Sequence, residues 1–141
     1  MRALKALRRE SSGSVAIEFA ILAPILITML FGVLQIGLGM QQYNALRSVA
    51  AEAARVAVVE RQKNVTFVAS DVQARARTIA TGAPYGLLGT RLTVNCVNAA
   101  TQRVTGATEM TLTLSYNVPS FLGIMGMNDI PITFTRPVFV L

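Results

Sequence analysis

A run of 28 residues without a charged side chain, from Phe19 to Leu46, limits what this chain can fold into. As a helix rising about 1.5 Å per residue, the run would reach roughly 42 Å, and the hydrocarbon core of a bilayer is roughly 30 Å thick. A basic segment, MRALKALRRE, precedes the run, and one acid, Glu18, stands at its start. Because an ionised carboxylate is costly in lipid, Glu18 needs a physical reason for its position.

The positive charge of the chain is concentrated in its first residues. The net charge is +6, but four basic residues lie within the first nine positions, and residues 14–141 carry nine Lys or Arg against six acids. The remaining basic residues are scattered without interleaved aromatic residues, which argues against nucleic-acid binding. By the positive-inside rule, the leader is cytoplasmic and the carboxy-terminal domain lies outside the inner membrane.

The residue types of the chain argue against an enzyme. It contains no histidine and a single cysteine, Cys96, so it has neither a Ser-His triad nor a histidine-based metal site. No cluster of carboxylates compensates, and we therefore predict no catalytic residues, no metal and no cofactor. Cys96 falls on the inward face of a predicted strand, where it reads as a small buried residue; an intersubunit disulfide would require it to be exposed.

Two features mark the apolar run itself. Pro24 lies inside it and either is a tolerated membrane proline or makes a weak point where the helix bends. Gly32, Gln35 and Gly39, with Gln42, share one helical face, and such a small and polar stripe suits close packing of one helix on another. The alternative is that Gly39 and Gln42 only mark the outer interface.

The helix continues beyond the apolar run. Residues 41–62 contain no Gly or Pro and are rich in helix formers, so one helix of roughly 45 to 50 residues is expected, lipid-facing in its first half and an amphipathic spine in its second. Leu46, Val49 or Ala50, Ala53, and Val56 or Ala57 would form the buried face. Asn64 is expected to end this helix.

A second helix is predicted over SDVQARARTIATG. Ser70 and Asp71 offer its N-cap, and Gly82 and Pro84 stop it.

Strands follow the second helix. RLTVNCVN and the longer EMTLTLSYNV alternate apolar and polar residues, and NAATQRVTGA between them is of hairpin length. A third strand, about Ile130 to Leu141, is interrupted by Pro137 and is placed at an edge or with a bulge. The predicted fold class is α+β: a long amino-terminal transmembrane and spine helix on a small antiparallel sheet with a second short helix.

The segment of residues 119–129, PSFLGIMGMND, is apolar and rich in glycine. It is either a contact for a partner or the membrane surface, or it folds back on the core.

The string GSVAIEFAILAPIL, from Gly13 onward, resembles the amino terminus of the TadE-like family, minor pseudopilins of the tight adherence (Flp) type IV pilus system. The string combines a small residue, Gly13, with Ser14 directly after it, Glu18 and Phe19 at the fifth and sixth positions from Ser14, and Pro24. The resemblance covers residues 13 to about 40, and downstream the chain agrees with the family only in outline.

The resemblance implies a structural or assembly role in a pilus used for adherence. It implies cleavage between Gly13 and Ser14 by a prepilin peptidase, a leader of residues 1–13, a transmembrane part over 14–40 and an extracytoplasmic pilin-like domain over 41–141. Glu18 would then pair with the new amine of a neighbouring subunit. The alternative is that Glu18 only reaches to the membrane interface and favours the amino terminus of the helix. The implied partners are the peptidase, other pilins or pseudopilins and the inner-membrane assembly machinery, in a self- or hetero-oligomer held in the bacterial inner membrane or incorporated in a surface pilus. The alternative is a membrane-anchored extracytoplasmic binding module whose signal anchor is not cleaved.

Overall fold

One helix, α1 (Ser11–Lys63), makes up more than a third of the chain, with 53 residues. The structure is a computed structural model that describes residues 11–63, 66–121, 123 and 126–141. Residues 1–10 of the predicted leader, Asn64 as the predicted helix breaker, and positions 122, 124 and 125 of the 119–129 segment lie outside the described residues. The predicted continuous helix is confirmed, and it runs without a break through Pro24.

The second helix, α2 (Ala69–Thr81), is also present, but its amino-terminal cap is not the predicted one. The prediction that Ser70 or Asp71 caps it is wrong, because the N-cap is Val68 in an extended conformation. A capping box has two hydrogen bonds, and valine has no side-chain acceptor for the first. Only the second forms, in which the Asp71 carboxylate accepts the Val68 N–H at 2.9 Å. Gly82 ends the helix as predicted, and its N–H donates to the Thr78 carbonyl at 3.0 Å.

The three strands are β1 (Leu92–Asn98), β2 (Thr108–Val118) and β3 (Ile130–Val140), in an antiparallel sheet of order β1-β2-β3. Their register pairs Leu92 with Tyr116 and Leu114 with Phe134. Alternation puts most apolar residues of the strands on one face, as predicted for β1 and β2, while Val97 and Phe139 lie on the other. On the other face, Thr and Ser hydroxyls pair across β2 and β3, at 3.3 Å and 2.9 Å.

The prediction that Pro137 interrupts the third strand is wrong. Pairing with β2 continues through it, with Thr111 opposite Pro137 and Glu109 opposite Phe139. The edge position of β3 is confirmed, and it explains why the strand tolerates proline. Pro131 and Pro137 are an even number of residues apart, so the backbone positions where they lack an N–H face the same side of the strand. On an edge strand one side needs no hydrogen-bonding partner, and proline is tolerated there.

The core lies between the sheet and the two helices. The second half of α1 packs over β2 and β3, and α2 packs over β1. The predicted spine face is confirmed, with Ala57 rather than Val56 fully buried. The buried apolar residues of the helices are Leu46, Val49, Ala50, Ala53, Ala57, Val72, Ala76 and Ala80. They cover the strand residues Leu92, Val94, Cys96, Met110, Leu112, Leu114, Tyr116, Val118, Val138 and Val140. Burial raises the pKa of the Cys96 thiol to about 11, in agreement with the reading of this residue as part of the core.

One end of the sheet, called proximal, lies beside the apolar half of α1, and the other end, called distal, lies beside the second half of α1. Ile130 and Ile132, at the start of β3, line a groove with Ile36, Gly39 and Met40 of α1. At its other end, β3 lies against Arg55 and Val58 of α1. The turn between β2 and β3 therefore lies beside the apolar part of α1, and the loop between β1 and β2 lies at the far end.

Candidate functional site

The first half of α1 presents apolar side chains to its surroundings on every side. Val15, Ile17, Phe19 and Ile21 are each more than 60% exposed, and the pattern continues to Leu34. Over the described residues, α1 from Gly13 to Lys63 is the helix long and apolar enough to cross a membrane, and its most apolar window has a mean hydropathy of 2.3 with none of it buried. Such a surface requires a lipid or protein cover, which indicates a single-pass membrane anchor.

The residues of the predicted processing site lie in the first turn of this helix. Gly13 and Ser14 are exposed, and Ser14 Oγ donates a hydrogen bond to Glu18 Oε1 at 3.4 Å, one turn later. Side chains of a helix lean toward its amino terminus, so the Glu18 carboxylate points back to the Ser14 end. The structure therefore brings Ser14 and Glu18 together on one face. Phe19 stays exposed beside them.

Pro24 is accommodated inside the helix. Its carbonyl accepts a hydrogen bond from the Thr28 hydroxyl at 2.7 Å, a pattern that serine and threonine form with the carbonyl one turn earlier. The helix stays helical on both sides of the proline. Both interpretations of Pro24, a tolerated membrane proline and a weak point where the helix bends, stay predictions.

The predicted packing stripe divides between two environments. Gln35 is buried, whereas the Cα of Gly32 and that of Gly39 each face open space, since an added Cβ would meet no atom within 4 Å. Gly39 borders the groove of about 350 Å³ between α1 and the start of β3. Packing of this stripe against another helix stays a prediction, and Gln35 has a different contact within the chain.

Gln35 holds the turn that follows β2. Its Nε2 donates to the Pro119 carbonyl at 3.0 Å, and its Oε1 accepts the Phe121 N–H at 3.0 Å. One turn below on α1, the ring of Phe31 lies 6.3 Å from the ring of Phe121. The described start of the 119–129 segment thus folds back on the chain, and it does so on the apolar part of α1 rather than on the core.

Sequence reasoning missed this contact for a plain reason. The partners are separated by 84 and 86 positions, and no local pattern links residues so far apart. The signal that was available is the glutamine itself, because a polar amide inside an apolar run needs a hydrogen-bonding partner.

A second buried polar group, Glu109, lies at the distal end of the sheet. Its carboxylate accepts hydrogen bonds from the Arg103 side chain and from the Arg103 N–H, the latter at 3.2 Å. The Gln102 side-chain amide donates to the Glu109 carbonyl and accepts the Glu109 N–H. The Arg103 guanidinium lies over the Phe139 ring, 5.4 Å from its centroid. These contacts fix the β1–β2 loop. Among the described residues no group of three metal-ligating side chains occurs, so none of these clusters offers a metal site.

With this geometry established, the chain can be compared with known proteins. The family model of the TadE-like proteins matches residues 13–55. The resemblance is confirmed. The matched TadE-like segment begins at the Gly13-Ser14 pair, contains Glu18, Pro24 and Gln35, and ends at Arg55 in the domain-facing half of α1. No curated protein and no solved structure matches the chain.

The TadE-like match, over residues 13–55, shows what this segment is similar to and points to proteins associated with the Tad pilus. The segment that it covers includes the first half of α1, whose exposed apolar surface the chain does not bury by itself. The sheet and α2 lie beyond the matched residues.

Proposed function

We propose that this chain is a minor pseudopilin of a tight adherence pilus, cut by a prepilin peptidase between Gly13 and Ser14. The observation that supports it best is the first half of α1: Gly13, Ser14 and Glu18 at the start of a helix whose apolar side chains remain uncovered. An anchor that only holds a domain at a membrane has no need of an acid at the start of its apolar run. In a helix that later packs against other helices, the acid can pair with a charge on a neighbouring subunit.

Cleavage gives Glu18 a counter-charge. Removal of residues 1–13 leaves a free amine on Ser14, about 6 Å along the helix axis from Glu18. Before assembly, the Glu18 carboxylate can pair with this amine in its own chain, since the two residues share a face. In a filament, the carboxylate pairs with the amine of a neighbouring subunit, which offsets part of the cost of burying each charge and sets the register between subunits.

The two halves of α1 then have separate tasks. The apolar half is covered by lipid before assembly and by the apolar halves of other subunits afterwards. The second half stays packed on the sheet, so the domain is carried as one unit by a continuous helix. The proposed partners are accordingly the peptidase, other pilins or pseudopilins and the assembly machinery of the bacterial inner membrane.

Replacing Glu18 by Ala tests the role of the acid. We expect Glu18→Ala to be cleaved to mature size and yet to reduce assembled pilus to background, because the Ser14 amine loses its counter-charge. Mature size is read by immunoblot of membranes, and pilus by immunoblot of the fraction sheared from cells.

Ser14→Ala is the matched control for this experiment. It removes the hydroxyl that donates to Glu18 but keeps the amine that cleavage creates. Normal piliation is therefore expected in Ser14→Ala. Normal piliation in Glu18→Ala would contradict the proposal.

A further inference from the structure

The turn docked on Gln35 lies beside a part of α1 that falls within the thickness of a bilayer. An ionised Glu18 stays at the boundary of the hydrocarbon, so the apolar core begins near Phe19. At 1.5 Å per residue, a core of roughly 30 Å takes about 20 residues and ends near Leu38. Gln35 then lies about 5 Å inside the boundary on the side of the sheet, and Phe31 about 10 Å inside it.

The hydrogen bonds of this turn fit that depth. Backbone groups that enter hydrocarbon must find partners within the protein, because no water is there to replace them. The Pro119 carbonyl and the Phe121 N–H are both bonded to the Gln35 amide, and Gln35 is itself only 6% exposed. One side chain thus satisfies two backbone groups in the described part of the turn.

The turn and the start of β3 also carry apolar side chains that the described structure covers only in part. Phe121 is 48% exposed, and Met127 and Ile130, after the turn, are 54% and 41% exposed. Phe121 and Ile130 continue the exposed apolar surface of α1 at Phe31 and Ile36. Exposure of this combined apolar surface to water would cost free energy, whereas contact with the acyl chains of lipids is favourable.

An ion pair limits how deep the turn can lie. Arg91 bonds Asp129 at 2.5 Å, and Asp129 also accepts the Ser120 N–H at 3.0 Å. Both charged side chains are about one-third or more exposed, as expected for groups that reach toward lipid headgroups. Phe121 points from this polar level toward Phe31, into the apolar side.

We infer that the two described ends of the β2–β3 connection, at Phe121 and at Met127 and Ile130, are inserted in the headgroup-to-acyl boundary of the membrane, so that the sheet domain rests on the lipid surface. The domain is thereby held to the membrane at two places, the span and the turn. This depth, about 5–10 Å, is that of elements that lie in an interface without crossing it. The inference rests on α1 being a membrane anchor, which the proposed function also requires.

The absence of tryptophan from the chain gives a direct test. Three single-tryptophan variants of the full-length protein, Phe121→Trp, Phe31→Trp and Phe139→Trp, are reconstituted in phosphatidylcholine vesicles whose acyl chains carry bromine at a shallow or a deep position. Phe31→Trp reports on the span. Phe139→Trp reports on the distal end of the sheet and keeps an aromatic ring under Arg103. Bromine quenches tryptophan fluorescence only at close range.

The expected result is quenching of Phe121→Trp that is stronger with shallow than with deep bromine. Phe31→Trp should be quenched by both lipids and Phe139→Trp by neither. If Phe31→Trp is quenched and Phe121→Trp is not, the turn is outside the membrane and the inference is wrong while the anchor stands. If Phe31→Trp is also unquenched, the anchor fails and the inference with it.

A second measurement separates lipid from a second copy of the chain as the cover of the turn. Emission of Phe121→Trp in detergent is followed over a range of protein concentrations. Emission that is independent of concentration supports lipid. A blue shift that grows with concentration, together with no quenching in vesicles, assigns the turn to a contact between copies and overturns the inference.

Gln35→Leu, introduced into the Phe121→Trp chain, tests the role of the amide. Leaving two backbone groups without a partner should drive the turn into water and abolish its quenching. Gln41→Leu makes the same change at an exposed position of α1 and should leave the quenching unaltered. Equal quenching in Gln35→Leu and Gln41→Leu would contradict the assigned role of Gln35.

Discussion

Two buried polar side chains, Gln35 and Glu109, hold the loops at opposite ends of the sheet. They are the buried polar or charged residues of the described structure, and each has its hydrogen-bonding groups occupied. A buried amide or carboxylate costs free energy unless it is hydrogen-bonded. Each side chain is therefore stabilised by the loop that it holds in place. Gln35 fixes the turn beside the apolar helix, and Glu109 fixes the distal β1–β2 loop.

Acidification is expected to loosen the β1–β2 loop through Glu109. Hydrogen bonds from the Arg103 guanidinium lower the pKa of Glu109 below its ordinary value of 4.5, and burial of the carboxyl only partly opposes them. A carboxyl with a lowered folded pKa contributes stability above its unfolded pKa, and the contribution is lost as pH falls through the folded value. The protection factor of the Ala99 amide, which donates to the Glu109 carbonyl, should therefore fall below pH 4.5 before that of Leu112.

Glu109→Gln serves as the control for this effect. It keeps the shape of the side chain but cannot carry the charge that Arg103 binds. Its loop should be less protected at neutral pH and should lose the acid-dependent step. A wild-type loop whose protection relative to Leu112 does not change with pH would contradict the role given to Glu109.

Neither of these residues could be placed from the sequence alone. Gln35 falls on the stripe predicted for packing between helices, and only the fold brings residues 119–121 to it. Glu109 alternates with Met110 and so reads as an outward residue of β2. It stays on that outward face, opposite Phe139, and is buried because the β1–β2 loop folds over it.

At the scale of elements, α1 is one helix in two environments. Its first half exposes apolar side chains, while its second half packs on the sheet through small residues, Ala50, Ala53 and Ala57. Alanine lets the helix approach the sheet closely, and the larger Leu46 and Val49 fill the space nearer the membrane. The domain thus uses half of its anchor as a core element, which suits a domain of this size.

Enlarging a spine alanine tests that packing. Ala53→Leu is expected to lower the free energy of unfolding of the domain by about 1–3 kcal/mol, because the core has no room for the added methylenes. Urea unfolding of the full chain in detergent micelles, followed by circular dichroism, measures this change. Ala51→Leu makes the same substitution at an exposed position of the same helix and should have little effect. Equal stabilities of the two variants would contradict the assigned packing face.

The elements themselves follow closely from local patterns. Periodicity predicts α1 and its buried face, and strict alternation predicts β1 and β2, because each pattern matches one repeat of the backbone. Two details of the structure differ from the sequence-based predictions, the cap of α2 and the course of β3. Asp71 serves the cap of α2 from the N3 position rather than from the N-cap, and β3 continues through Pro137 because an edge strand has a free side.

At the scale of the whole molecule, the chain is divided along α1 into a part that needs an outside cover and a part that folds on itself. The TadE-like match over residues 13–55 includes the whole of the first part and ends within the second. A membrane-anchoring helix and a similarity to TadE-like proteins follow from these observations. Processing, assembly through Glu18 and insertion of the β2–β3 turn are proposals built on them.

The measurement that bears most directly on the central proposal is the intact mass of the protein purified from the membranes of its native host. The proposal predicts a mass lower than that of the full chain by residues 1–13, so that the mature protein begins at Ser14, four residues before Glu18. A full-length mass would contradict it. The chain would then be a membrane-anchored module with an uncleaved signal anchor, and Glu18 would have no new amine to pair with.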